Sequence, residues 1–436
     1  MGGLPRRATF IQREIADGIP TLILDSGNLF SETPPTEAGL TQTMRKARLV
    51  LRAMERMGYQ AAAIGEFDLY LGRDNLAELV QSTDIHFLSA NIRKADGSPA
   101  FTPSVIIAAG GTRVGIFGLT SREVDISLME KRAPGLWVDD PLKAASEIVP
   151  DLRKRCDLVI ALTHIGYRQD RLLAEVGGGV DVIIGGRSKT WLKSPQEVGA
   201  TLVTSGYFQG RAVGSLLLDL GPGHDGWAIG RRIDYLKRQI EGRRLQRGGG
   251  GDEELERELE ELLSKTRYEG DMISLTSSFP DDPEIAGMIR EYRLSLKEEA
   301  VGKVYEEVTD AGRDRYIGTD TCIDCHRGRV EFWKGTDHAT AIESLRPLEA
   351  DADPDCLPCH VTGYLQPTGY SPALPREDLL GVQCEACHGM ASLHASSPKL
   401  YRLIRTPKAT MCRTCHTPEQ DDDFDFLRDR GLVCSE

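Results

Sequence analysis

No stretch of the 436-residue sequence reaches the ~20 apolar residues that a membrane-crossing helix requires. The opening Met1-Gly-Gly-Leu-Pro-Arg-Arg7 lacks the apolar segment of a secretory signal. Positive charge is not in excess either. With 66 acidic and 53 basic residues the net charge is −13, a surface unsuited to holding phosphate backbones, which argues against nucleic acid as a partner. Cysteine is nearly missing from the first three hundred residues, where Cys156 stands alone before an apolar run and reads as a buried structural thiol. Histidine is scarce throughout, at nine residues. The chain is nevertheless too long for one core, and two or three domains are expected.

From about residue 20 to 220, short apolar runs alternate with amphipathic stretches, the pattern of a layered α/β domain. Strands are expected at Thr21–Asp25, Ala61–Ile64, Phe87–Ala90, Val105–Ala109, Val114–Leu119, Leu158–Thr163, Val182–Ile184, Thr201–Thr204 and Ala212–Leu218. Helices are expected at Leu40–Met57 and Pro141–Lys154, where apolar residues recur every three or four positions. Arg231 to Leu263 reads as a helical hairpin broken by Gly248–Gly251. It serves as a solvated connector or an oligomerisation arm. Another helical pattern runs from Ser277 to Lys297. The expected division is an α/β domain over 1–225, a helical connector over 226–312 and a cysteine- and histidine-rich domain over 313–436.

Eight of the ten cysteines fall between Cys322 and Cys415 in that last domain, and four times they spell Cys-x-x-Cys-His. The motifs are Cys322, Cys325 and His326; Cys356, Cys359 and His360; Cys384, Cys387 and His388; Cys412, Cys415 and His416. Two thiols one helical turn apart can reach the two vinyl groups of a porphyrin while the adjacent imidazole comes up beneath the iron. Zinc ribbons and iron–sulfur clusters use the same cysteine spacing but need no His after every pair. At nine His in 436 residues, four such coincidences have a probability on the order of 10⁻⁷. Four haem c groups are therefore expected, with His326, His360, His388 and His416 as proximal ligands. The segment is also poor in large apolar residues, so porphyrins would supply much of its core. Its two remaining histidines, His338 and His394, are candidate distal ligands.

Trp333-x-x-x-x-His338-Ala, Cys356-Leu-Pro-Cys-His360-Val-Thr-Gly363, Gly381-Val-Gln-Cys-Glu-Ala-Cys-His388-Gly389 and Cys412-Arg-Thr-Cys-His416-Thr-Pro together resemble the tetrahaem cytochrome c family of nitrifying bacteria, from about residue 315 onward. The resemblance implies closely stacked haems and an exchange of distal ligands, with His338 on the third haem (proximal His388) and His394 on the first (proximal His326). It implies an open iron at the second haem. For the fourth, relatives end in a His where this sequence has Gly431-Leu-Val-Cys434-Ser-Glu436. A Cys434 thiolate, a His from a neighbouring subunit, an open site and a truncated end all remain as readings.

Gly2-Gly-Leu-Pro-Arg-Arg-Ala-Thr9, Leu22-Ile-Leu-Asp-Ser-Gly-Asn28, Met57-Gly-Tyr59, Leu88-Ser-Ala-Asn91, Leu162-Thr-His164 and Asp181-Val-Ile-Ile-Gly-Gly186 resemble, over residues 1 to 220, the amino-terminal domain of 5′-nucleotidases of the calcineurin-like metallophosphoesterase family. That family implies two divalent metals. Here the early Asp-x-His would precede Met1, Asn28 stands for the bridging Asp, Gly65-Glu-Phe-Asp68 replaces the Asn-His pair, and Arg187 and Lys189 occupy the closing histidine positions. Only His164 survives, and two fixed cations would repel M²⁺ ions. Arg187, Lys189 and His164 could hold an anion or form a solvated rim.

The combined expectation is an electron carrier in the periplasm or at the cell surface, working with redox partner proteins, its amino terminus trimmed or misassigned because c-type haem is normally attached outside the cytoplasm. Alternatives are a redox enzyme reducing a small nitrogen or sulfur oxide at an open haem, a bifunctional nucleotidase, and a self-associating subunit of a haem filament.

Overall fold

The computed structural model describes residues 3–15, 18–31, 33–37, 39–220, 227–246, 253–263, 266–302, 314–418, 420–421 and 423–433. The chain forms two compact units, Met1–Ala286 and Gly287–Glu436.

The first unit is a layered α/β sandwich. Its larger sheet has the strand order Gln196–Val198, Thr201–Ser205, Val182–Gly185, Leu158–His164, Thr112–Thr120, Ser104–Ala109, with the four inner strands parallel. A smaller parallel sheet joins Leu24–Asp25, Ala61–Ala63 and His86–Leu88. The period of two along the central strands divides the interior. Val114, Ile116, Leu158, Ile160 and Leu162 point to the small sheet and pack on Ala61, Ala63 and Leu88. Phe117, Leu119, Val159 and Ala161 point the other way, onto Ala144, Val149 and Leu152 of helix Pro141–Arg155 and Leu173 of helix Tyr167–Val176. Each of these large side chains contributes about 2 kcal/mol by leaving water. Asp140 caps helix Pro141–Arg155 by accepting the Leu142 and Lys143 amides at 2.9 and 3.0 Å. At Gly118 a Cβ would lie 2.1 Å from the Leu88 carbonyl oxygen, so glycine permits the approach of the two sheets.

All nine expected strands are present, as are helices Leu40–Met57 and Pro141–Arg155. The expected connector over 226–312 is corrected. Helices Gly230–Gln246 and Glu253–Leu263 are there, but strand Thr266–Ser274 pairs antiparallel with Ala212–Asp219 over nearly its whole length and takes Trp227–Ile229 on its other side. Tyr268 and Met272 are its buried residues. Between them Gly270, packed against Pro195, carries no side chain, so the alternation that betrays a strand is interrupted.

In the second unit each haem motif lies on a short helical turn, including Leu357–His360, Cys384–His388 and Ala409–Cys412. Helix Ile323–Lys334 is kinked at His326, whose φ of −126° is not helical. The only apolar cluster gathered in the described residues of this unit consists of Ile342, Leu345, Ala350, Leu357, Val361, Tyr370 and Leu379. Leu400, Tyr401, Ile404 and Leu427, beside the third and fourth motifs, present apolar surface instead.

Asp170 of helix Tyr167–Val176 is buried and its carboxylate accepts the Thr163 hydroxyl at 2.6 Å. Burial pushes its pKa from an ordinary 3.8 up to about 7, against the pull of the Thr163 bond. The protonated form is favoured by the fold. Its contribution is therefore complete below the unfolded value and is lost as pH rises through about 7. Asp170→Asn is expected to remove roughly 2 kcal/mol of the stability lost between pH 5 and 8, read from denaturation midpoints at the two values; an unchanged pH slope would refute this.

Candidate metal centres

The second unit places the four motifs in pairs. The Cys322 and Cys384 side chains are neighbours within hydrogen-bonding reach, as are those of Cys359 and Cys415, which sets the first motif beside the third and the second beside the fourth. Backbone clasps fix the first of these pairs. Glu385, buried inside the third motif, accepts the amides of Ile317, Gly318 and Ala391 at 3.0, 2.8 and 2.9 Å. Gln383 accepts the Thr319 amide at 2.7 Å.

Four of the histidines, His360, His388, His394 and His416, are oriented through their Nδ1 atoms. His360 bonds the Ala341 carbonyl at 2.7 Å, His388 that of Ile404 at 2.5 Å and His394 that of Tyr401 at 2.7 Å. His416 bonds the Asp421 carboxylate at 2.6 Å. A ring that spends Nδ1–H on such an acceptor keeps the Nε2 lone pair for a metal. His326 and His394 stand with ring centroids 6.5 Å apart and planes within 14° of parallel. His338 and His416 stand 5.9 Å apart at 48°. Two imidazoles on opposite sides of one iron, each with a bond of about 2 Å, have centroids about 6 Å apart. The residues present therefore fit iron porphyrin.

His394 and His326, expected to share the first haem, stand near each other, whereas the ring contact of His338, expected with His388, is with His416. Trp333 donates its indole N–H to the Val382 carbonyl at 2.9 Å, and the Val382 amide bonds the His338 carbonyl at 2.8 Å. A Cβ at Gly381 would meet the Ala339 carbonyl oxygen at 2.6 Å. The backbone at His338 is thus clamped beside the third motif while its ring reaches the fourth. Among the described residues no imidazole stands opposite His360 or His388. Cys434 lies outside the described residues.

In the first unit the carboxyl ends of the parallel strands carry Ser26, Glu66, His164 and Arg187. His164 is 4% exposed. Its Nδ1 bonds the Ser26 carbonyl at 3.0 Å and its Nε2 lies 3.4 Å from Glu66 Oε2. Burial lowers the His164 pKa below its ordinary value, against the nearby Glu66 carboxylate. Arg187 Nε donates to Glu66 Oε1 at 2.9 Å and its Nη1 pairs with Glu123 at 2.8 Å. Asn28 is no ligand here: its side-chain oxygen accepts the Phe67 amide at 2.9 Å. Asp68 accepts the amides of Asn28, Phe30 and Gly65 at 3.0, 3.3 and 2.9 Å, stitching the two loops together. Gly186 lets the chain pass Ser26 and His164, since a Cβ would lie 2.4 Å from the Ser26 hydroxyl. Lys189 stacks on Phe208 at 5.0 Å instead of joining Arg187. The Asp25 carboxylate lies close enough to act on the His164 charge, but one imidazole nitrogen, the Glu66 carboxylate already held by a guanidinium, and Asp25, which accepts the Gly27 amide, are a poor set for two divalent ions.

Residues 321–389 match the family model described as cytochrome c554 and c-prime. The match lies within the carboxy-terminal unit and spans the first three Cys-x-x-Cys-His motifs. The amino-terminal ~300 residues are similar to 5′-nucleotidases. The bovine and human 5′-nucleotidases are each 30% identical to this chain over 312 residues, which is 68% of this chain and 48% of theirs. The chain spans about half the length of the curated relatives it matches. Among solved structures, Thermus thermophilus sulfate thiohydrolase SoxB superposes with a TM-score of 0.53 at 21% identity, covering 69% of this chain and 48% of that one. A 5′-nucleotidase precursor from the same organism gives 0.50 at 23%, covering 75% and 62%. These likenesses establish a metallophosphoesterase-like fold for the first unit.

Arg187→Met would strand the buried Glu66 carboxylate. A loss of about 2–4 kcal/mol in unfolding free energy is expected, with Glu66→Gln in the same chain recovering most of it. Chemical denaturation checks both, and a neutral single variant would contradict the ion-pair role.

Proposed function

We propose that the protein transfers electrons through four covalently bound haems c in the cell envelope. The observation that carries this reading is the pair of opposed imidazoles, His326 with His394 and His338 with His416, at 6.5 and 5.9 Å. Bound haem would supply one-electron Fe(III)/Fe(II) chemistry at each site. Two imidazoles per iron favour electron transfer over binding of small molecules, because no coordination position is left open. The side-by-side motifs Cys322–His326 with Cys384–His388, and Cys356–His360 with Cys412–His416, bring neighbouring centres close enough for a relay. Redox partner proteins are the proposed donors and acceptors. A periplasmic or cell-surface location follows from the chemistry of haem attachment, which normally occurs outside the cytoplasm, and no described helix is long and apolar enough to cross a membrane.

A second reading is favoured by the two centres that lack an opposing ring among the described residues. His360 and His388 would each leave one iron face open, where a small nitrogen or sulfur oxide could be reduced. The ion-paired Glu66 in the first unit supports a scaffold role there over phosphoester hydrolysis.

The test uses full-length protein matured with a c-type haem attachment system. Mass spectrometry should find four modified motifs, and EPR should find two low-spin centres of the bis-imidazole type. His394→Ala and His338→Ala should each convert one of them to high spin. Re-oxidation of the reduced protein by a small soluble cytochrome, followed in a stopped-flow instrument, should proceed within milliseconds to seconds, whereas turnover of nitrite or hydroxylamine above background would favour the enzyme reading. An unmodified or zinc-loaded polypeptide would end the proposal.

A further inference from the structure

Three of the four histidine Nδ1 contacts in the second unit described above end on neutral carbonyl oxygens, those of Ala341, Ile404 and Tyr401. The fourth ends on a charge, with His416 Nδ1 2.6 Å from Asp421 Oδ2. The chain builds this contact close to the motif. The amides of Gln420 and Asp421 both donate to the Thr417 carbonyl, at 3.0 and 2.8 Å, closing a turn one residue after His416 and returning the carboxylate to its ring. Phe424 stacks on the same imidazole at 4.6 Å and 20°, so the ring is held on its face as well as its edge. The nearby cation, Arg428, is engaged by Asp423 and Asp429.

We propose that Asp421 is a positioning residue that sets the redox potential of the fourth centre. By accepting the Nδ1 proton, its carboxylate gives His416 part of the electron donation of an imidazolate, which stabilises Fe(III) over Fe(II). The first centre, whose distal His394 donates to a neutral carbonyl, has no such push. Of the two bis-imidazole centres, the fourth is therefore the harder to reduce, and an electron shared between them rests on the first. The inference depends on His416 being a haem ligand, as proposed above.

The experiment compares wild type, Asp421→Asn and Asp421→Glu as full-length, haem-loaded proteins in optical redox titrations, with EPR spectra of each. Asparagine keeps an accepting oxygen within reach of Nδ1 but removes the charge. The expected result is that one component of the titration moves to higher potential by about tenfold in its one-electron reduction constant, equivalent to 59 mV. The other components should stay within about threefold, the low-spin count should hold, and Asp421→Glu should lie nearer wild type. An unmoved titration, a uniform shift of every component, or loss of a low-spin signal in Asp421→Asn would overturn the tuning role. Failure of the underlying reading is told apart by the wild type itself: an unmodified Cys412–Cys415 peptide in its mass map overturns the ligand assignment and this inference with it.

Discussion

The carboxy-terminal unit depends on a single kind of contact, the hydrogen bond from a histidine Nδ1 to a fixed acceptor. An imidazole on a loop can rotate about two bonds, and a cysteine motif alone fixes only where its backbone runs. Once Ala341, Ile404, Tyr401 and Asp421 take up the Nδ1 protons of His360, His388, His394 and His416, each Nε2 has a defined direction and tautomer. One member of each opposed pair, His394 and His416, is oriented in this way. His326 meets His394, and His338 meets His416, although the members of each pair come from distant parts of the unit's sequence.

The first unit answers a different constraint, that a carboxylate taken out of water needs a cation. Here Arg187 meets that need from within the chain, bonding Glu66 directly and pairing with Glu123 as well. Gly186 passes close to Ser26 and His164, and Asn28 holds the Phe67 amide in a left-handed turn at φ 56°. The strand ends lie where ligands are usually held, and there Arg187 pairs with one oxygen of Glu66 while the other, Oε2, is buried 3.4 Å from His164 Nε2 without a hydrogen-bond partner.

The sequence makes some of this plain and hides the rest for physical reasons. The nine strands stand out as short apolar runs between polar stretches, most plainly Leu158–His164, where every residue is buried. Thr266–Ser274 does not stand out, since Gly270 and three charged residues mask its period. The haem motifs are legible because attachment chemistry dictates a contiguous spacing. Distal ligation has no such spacing, so His338 and His394 are identified as candidates by their scarcity, and the partner of His338 is not. Its backbone neighbours, Gly381 and Val382, belong to the third motif, while its ring lies 5.9 Å from that of His416 in the fourth. Glu385 and Asp421 are missed for a related reason. An acid within or after a motif looks like a solvated surface residue until the amides it accepts, or the imidazole it holds, are seen.

Ligation and folding in the second unit are one problem. Its gathered apolar cluster is small and sits around Leu357 and Val361, away from the exposed Leu400, Ile404 and Leu427. A conventional domain would close such gaps with more leucine and phenylalanine. With haems bound as proposed, it would instead be tied at eight thiols and across two imidazole pairs that each close a loop of about half the unit, and such links restrict the unfolded chain most when the loops are long. Porphyrin faces would supply the missing apolar area at the same positions. The proposed electron relay and the core of the unit would then rest on the same contacts.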